Sequence, residues 1–343
     1  MTGAPFSVAL PPEGPLGELV AVAAEAEALG CSTVWINDDR LQKDVFTVLA
    51  AIAHATERVR IGPGVTNPYS RHPALLASAI ATLDELSDGR AALGLGAGGT
   101  NHRALGIERR APATAIREAI TVVRGLLAGR TLTFDGEIVR TGAAELDFTP
   151  PRADLPIYVG GRGPRVLEAA GELADGVIVG NVASVQGWRY ALDRVARGRA
   201  RARREPGDVA MVAWVACSVA EDGDAALDAV RPLVATSLVT SRPILAELGI
   251  ELPRAFERTM DGLGWSLSRQ ALARAAADVP PELARRFAIA GTAAECRRQV
   301  ERLLADVPEI DELAIVPFPA PGDRAVDVLR RFCHEVMGVV VDA

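Results

Sequence analysis

Short apolar runs alternate with amphipathic stretches along nearly the whole chain. The first run, residues 6–10, reads as a strand. Residues 16–29 read as a helix, with Leu16, Leu19, Val20 and Ala23 on one face and Gly30 closing it. Further strands are predicted at 33–36, 59–65, 91–95, 156–159, 176–179, 209–219 and 312–316. Helices are predicted at 45–55, 73–86, 113–128, 164–173, 185–204, 225–239, 293–304 and 323–337. Strands alternating with helices at this spacing argue for a parallel sheet. Residues 157–159 and 177–179 are apolar without a break, as strands buried on both faces require. Eight such units favour an α/β fold of the closed (β/α)8 TIM-barrel type over an open, doubly wound sheet, with residues 1–343 as one domain.

Two stretches interrupt the rhythm. Residues 131–134 and 138–140 flank Asp135-Gly136 and predict a hairpin within an insertion spanning 131–151. Residues 242–287 show no clear strand and read as a helical or irregular insertion. Both are expected at the barrel mouth, where rim loops shape pockets.

Composition narrows the class without naming a function. The formal net charge of −7 argues against a nucleic-acid or anionic-membrane surface. No apolar run approaches the roughly 20 residues of a membrane helix. Lys43 is the single lysine; the remaining Lys and Arg positions are all arginine. Arginine suits phosphate and carboxylate groups, yet a GC-rich coding bias gives the same composition. Cys31, Cys217, Cys296 and Cys333 form no CxxC pair, and His54, His72, His102 and His334 include no i, i+4 pair. Neither a zinc site nor a redox dithiol is suggested, no metal is expected, and a reducing cytoplasm is the default location.

Unusual residues fall at the predicted strand ends. Asn37-Asp38-Asp39-Arg40 follows the second strand, and Gly62 to Pro68 the third. Gly94 to Asn101 follows the fourth, Gly160-Gly161-Arg162-Gly163 the fifth and Gly180-Asn181 the sixth. Glycine at one turn is ordinary βα-turn chemistry. Recurring at successive strand ends it favours a flat ligand lying against backbone. Gly94, Gly96 and Gly99 match G-x-G-x-x-G, but after the fourth strand and with no helix starting inside the motif, so a dinucleotide fold is not implied. Gly160 to Gly163 leads straight into a helix with Pro164 at its first position, a place where N–H groups favour a phosphate. Arg162 or Arg165 could add charge there.

The run from Gly64-Val65-Thr66-Asn67-Pro68 through Arg71-His72-Pro73, then 82–90 and Gly94-Leu95-Gly96-Ala97-Gly98, resembles the bacterial luciferase-like superfamily. Within it, the chain is similar to the F420-dependent reductase and dehydrogenase branch that includes methylenetetrahydromethanopterin reductase. Residues 160–179 and 290–296 fit as well. The resemblance implies a flavin-type cofactor in the barrel mouth, coenzyme F420 first and FMN as the alternative. It implies a non-prolyl cis peptide at Gly64-Val65 backing the ring, with Asp38 and Asn67 facing the cofactor. Ala97, Gly98 and Asn101 would line the ring edge and chain, and Gly160, Gly161 and Gly163 would hold the phosphate. A homodimer is expected on the same ground.

The sequence also departs from its relatives. Where many members carry Asp-His, it has Asp38-Asp39; where the sugar dehydrogenases carry Glu it has Gly99; residues 6–10 hold no acid. Neither the sugar-phosphate nor the pterin substrate is therefore carried over. The expectation is hydride transfer between F420 and a small organic substrate, with C=C or C=N reduction favoured, for example of a cyclic imine in secondary metabolism. Asp39 is the candidate general acid or base, with His102 and His72 as alternatives. Two other readings stay open: an FMN-dependent monooxygenase, and a barrel that binds a flavin or deazaflavin without catalysis.

Overall fold

The computed structural model describes residues 4–38, 41–98 and 105–340. Its strands, in chain order, are β1 (Phe6–Leu10), β2 (Thr33–Ile36), β3 (Arg60–Pro63), β4 (Leu93–Gly96), β5 (Leu132–Asp135), β6 (Arg140–Ala144), β7 (Ile157–Gly160), β8 (Gly176–Gly180), β9 (Ala210–Val219), β10 (Ala288–Gly291) and β11 (Glu312–Pro317). The helices are α1 (Leu16–Ala28), α2 (Val45–Ala55), α3 (Pro73–Leu86), α4 (Pro112–Leu127), α5 (Pro164–Leu173), α6 (Val185–Ala202), α7 (Gly223–Thr240), α8 (Arg254–Gly262), α9 (Arg269–Ala276), α10 (Pro281–Ala284), α11 (Ala293–Asp306) and α12 (Ala325–Arg331). None of these is long and apolar enough to cross a membrane.

The hydrogen-bonded strand order is β3-β2-β1-β11-β9-β8-β7-β4, with parallel registers throughout the pairs described. The two ends of that path meet. Parallel bridges join Ile61 to Ala91 and Thr66 to Leu95, and the Ala92 N–H donates to the Ile61 carbonyl at 2.9 Å. This is the predicted (β/α)8 barrel. Gly62 lets β3 and β4 come together: a Cβ there would lie 2.0 Å from the Ala92 carbonyl oxygen. Strands β1, β2 and β4 are buried along their whole length, which is why they read as predominantly apolar, with Ser7 and Thr33 as their buried polar residues.

The contacts divide the chain into two compact units. One comprises Ala9–Ile178 and Arg194–Met211. It contains β2, β3, β4, β7, helices α1 to α5 and a β5-β6 antiparallel hairpin. The hairpin is where the sequence predicts it, but its strands lie further along and its turn is wider than Asp135-Gly136. The Glu118 carboxylate accepts the amides of Glu137, Ile138 and Val139 at 2.8, 2.9 and 2.7 Å, and holds those residues out of the ladder.

The other unit comprises Met1–Val8, Val179–Asp193 and Val212–Ala343. Residues 242–287 form no strand, as expected, and alternate short helices with irregular turns. They supply α8, α9 and α10 and pack Phe256, Met260, Leu272 and Phe287 against Val234 and Leu238 of α7. Each side chain of this size contributes roughly 1.5–3 kcal/mol by leaving water. Strand β10 is an addition to the predicted set. It pairs in parallel with the far half of the ten-residue β9, from Ala288↔Ala216 to Gly291↔Val219. The predicted last helix runs as α12 to Arg331 and continues as a π-helix over Phe332–Met337.

Candidate cofactor site

The candidate site lies on the first unit, where the strand-end loops are joined by specific bonds. The Gly64-Val65 peptide is cis, as the family resemblance implies. The Val65 side chain turns onto β4 and β7. A Cβ on Gly94 would lie 3.2 Å from Val65 Cγ1 and 2.2 Å from the Pro63 carbonyl oxygen. One on Gly96 would lie 2.4 Å from Val65 Cγ2, and one on Gly160 would lie 2.9 Å from Val65 Cγ1. Three glycines from two strands thus form a seat for Val65. They shape the shelf by accommodating that side chain.

The loop after β3 is fixed by Asn67 and Thr66, both buried. Asn67 Oδ1 accepts the amides of Tyr69 and Ser70 at 3.1 and 2.9 Å, an Asx turn, and its Nδ2 donates to Ser70 Oγ. Thr66 ties β3 to β4 through its backbone: its N–H donates to the Gly94 carbonyl and its carbonyl accepts the Gly96 N–H. Its hydroxyl donates to Asp38 Oδ2 at 2.6 Å.

Asp38 is the junction of this network. Oδ2 also accepts Arg71 Nε at 2.9 Å, while Arg71 Nη2 donates to Asp44 Oδ2 at 2.7 Å. The guanidinium lies 5.5 Å from the centre of the Phe46 ring. Burial works against the Arg71 charge, but the bonds to Asp38 and Asp44 outweigh it and raise its pKa. Asp44 is held below the usual carboxylate range. Burial opposes this, and the Thr47 amide that it accepts as cap of α2, together with Arg71, overrides it.

At the end of β4, Ala97 is half-buried and Gly98 adopts φ +72, a left-handed turn that glycine makes without steric cost. The Gly98 carbonyl accepts Arg109 Nη1 at 3.1 Å, and the Arg110 carbonyl accepts the Tyr69 hydroxyl. These two bonds anchor the chain that returns from β4. The expected general acid Asp39, the chain-lining Asn101 and the alternative His102 lie outside the described residues.

The segment predicted to hold a phosphate leads into α5. Gly163 is the cap residue, makes no side-chain cap bond, and would meet nothing within 4 Å if it carried a Cβ. Pro164 at the first helical position brings no N–H, and the Val166 amide donates to the Gly163 carbonyl at 3.1 Å, so the Gly163 and Arg165 amides are the ones this helix start offers to an anion. Burial lowers the pKa of Arg162 to about 10, which leaves it a cation at neutral pH. Gly161 differs from its neighbours. Its N–H donates to the Ile178 carbonyl, and the space of its missing side chain is taken by Val166. His72 is accounted for as a cap: Nδ1 accepts the Ala74 amide of α3, so Nε2 carries the proton and donates to the Arg140 carbonyl at 2.9 Å.

Thr66 and Arg71 lie within the run that carries the family resemblance, yet neither shows this role in the sequence. Nothing local marks them, because their partner Asp38 lies 28 and 33 residues away.

The model of the luciferase-like monooxygenase family matches residues 2–307. The chain belongs to that family. It is 32% identical over 336 residues to 5,10-methylenetetrahydromethanopterin reductase of Methanolobus tindarius, covering 97% of this chain and 99% of that one. It is 32% identical over 258 residues to the F420-dependent glucose-6-phosphate dehydrogenase of Kineococcus radiotolerans, covering 69% and 76%. Among solved structures, a coenzyme F420-dependent tetrahydromethanopterin reductase from Methanopyrus kandleri superposes with a TM-score of 0.85 at 28% identity, over 97% of this chain and 98% of that one. Within the luciferase-like family the chain therefore sits on the branch of F420-dependent reductases and dehydrogenases.

Proposed function

We propose that the protein is an F420-dependent oxidoreductase that transfers a hydride between the deazaflavin and a small organic substrate, with reduction of a C=C or C=N bond favoured. The observation that carries this reading is the shelf itself: Val65 is seated against Gly94, Gly96 and Gly160, and the next residue, Thr66, ties the same loop to Asp38. Its donor set fits the cofactor. Asp38 offers a carboxylate at the ring end, while the Gly163 and Arg165 amides at the start of α5 and the Arg162 cation suit a phosphate at the other. When bound, the deazaflavin supplies the hydride.

In this reading, Gly64, Val65, Asn67, Ala97 and Gly98 support and flank the ring, with Asn101 beside its chain. Asn67 acts through the turn that it closes. Gly160, Gly161 and Gly163 line the phosphate end, with the Gly163 and Arg165 amides donating to it, while the Gly161 N–H stays on the Ile178 carbonyl. Positioning dominates the protein's contribution, because hydride transfer needs donor and acceptor atoms in contact and aligned. Asp39 is assigned to the accompanying proton transfer. His72 is not, since both of its ring nitrogens are engaged.

Mixing the protein with reduced F420 and a panel of cyclic imines and enones, while following the return of oxidised-deazaflavin absorbance, tests the reading. Substrate-dependent oxidation of F420 is expected. Turnover of the same panel with reduced FMN and oxygen, and none with F420, would establish the monooxygenase reading in its place. Binding of F420 with no hydride transfer to any acceptor would favour the non-catalytic one.

A further inference from the structure

Two carboxylates from the loop after β2 meet one guanidinium from the loop after β3 in an unequal arrangement. Asp38 takes Arg71 Nε at 2.9 Å and a long bond from Nη2, and Asp44 takes Nη2 at 2.7 Å, so a single cation bridges two anions. Asp38 uses its oxygens unequally. Oδ2 takes both the Thr66 hydroxyl at 2.6 Å and Arg71 Nε at 2.9 Å, while Oδ1 stands 3.5 Å from Arg71 Nη2. Among the described residues Oδ1 accepts only that long bond, which leaves one of its lone pairs for a further donor. Arg71 is itself fixed from a second side by Asp44, whose other oxygen caps α2, and it lies over the Phe46 ring of that helix. The arrangement is a chain from α2 through Arg71 to one oxygen of Asp38. Its effect is to lock that carboxylate in rotation and to direct its remaining oxygen.

We propose that Arg71 is a positioning residue for the cofactor's ring end: it orients Asp38 so that Oδ1 accepts a hydrogen bond from an N–H of the deazaflavin pyrimidine ring. The inference rests on the reading of Asp38 as a ring contact. Arginine is required because its planar fork reaches both carboxylates at once, with Nε on one and Nη2 on the other. Lysine places one charge and no fork, so it satisfies one carboxylate at a time.

The test is fluorescence titration of oxidised F420 into the wild-type protein, Arg71→Ala, Arg71→Lys, Asp38→Asn and the Arg71→Ala/Asp38→Asn double variant, each first shown to unfold cooperatively. Loss of a charge-assisted hydrogen bond weakens binding by about tenfold or more, and that is the expected increase in Kd for Arg71→Ala. Arg71→Lys should fall between Ala and wild type. The double variant should bind no worse than Asp38→Asn alone, because Arg71 acts through Asp38. A folded Arg71→Ala with wild-type Kd, or fully additive losses in the double variant, overturns the inference and leaves the deazaflavin reading standing. Failure of the wild-type protein to bind F420 overturns both. If Arg71→Ala does not fold, the titration of Arg71→Lys decides: wild-type affinity refutes the need for the fork, and a several-fold loss supports it.

Discussion

Val65 Cγ2 lies where a side chain on Gly96 would begin: a Cβ built there comes within 2.4 Å of it. The shape of the candidate shelf therefore depends on a pair, a branched side chain from the loop after β3 and a bare backbone at the end of β4. Gly96→Ala should destabilise the fold by about 1–3 kcal/mol, the usual cost of overpacking, and weaken cofactor binding. Val65→Ala in the same chain removes the Cγ2 atom and should restore most of both. Urea unfolding of the single and double variants checks the pairing. Independent, additive losses would show that Gly96 is required for another reason.

A second relationship stabilises the same unit from below the site. Asp84 is 1% exposed, accepts Arg152 through two nitrogens at 2.9 Å each, and also accepts the Ala91 amide. Arg152→Ala strands a buried carboxylate, so a loss of about 3–5 kcal/mol is expected. Chemical denaturation at pH 7 measures it. A change under 1 kcal/mol would mean that water replaces the guanidinium without cost.

Glu27 gives the clearest pH signature. Burial alone would raise its pKa, but the carboxylate accepts the amides of Val59, Arg58 and Glu57, and the net effect is a pKa below its usual 4.5. A depressed folded pKa contributes stability that is present above the unfolded value and is lost as pH falls through the folded one. Stability should thus decline on acidification below about pH 4.5, and Glu27→Gln should flatten that slope. Denaturation midpoints from pH 6 to 3 provide the comparison; parallel slopes for the two proteins would remove Glu27 from the account.

The cysteines should be chemically silent in the native state. All four are buried, and burial pushes the Cys217 thiol well up and that of Cys296 to about 12. Reaction requires exposed thiolate. A thiol reagent at pH 8 should modify none of them until denaturant is added, whereas rapid labelling of the folded protein would place at least one thiol at the surface.

The barrel was legible in the sequence because parallel strands buried on both faces are written as unbroken apolar runs, such as 157–159 and 177–179. Strand β10 was not. Its four residues, Ala-Ile-Ala-Gly, carry too little pattern, and it exists because β9 is long enough to offer it an edge. The glycine-rich rims were legible as positions, but their physical reason was not. Gly94, Gly96 and Gly160 suggest a ligand lying on backbone, and the structure adds that Val65 fills the space beside them. The Asp38-Thr66-Arg71 network was hidden by sequence distance, since one sequence shows no pairing between loops 28 and 33 residues apart.

The central claim is that this shelf holds a deazaflavin. Equilibrium titration of the purified protein with F420 and, separately, with FMN tests it most directly, with fluorescence quenching as the readout. Saturable binding of F420, weakened in the Gly96→Ala variant, with FMN binding at least tenfold weaker, is the expected result. Saturable FMN binding with no response to F420 would contradict it.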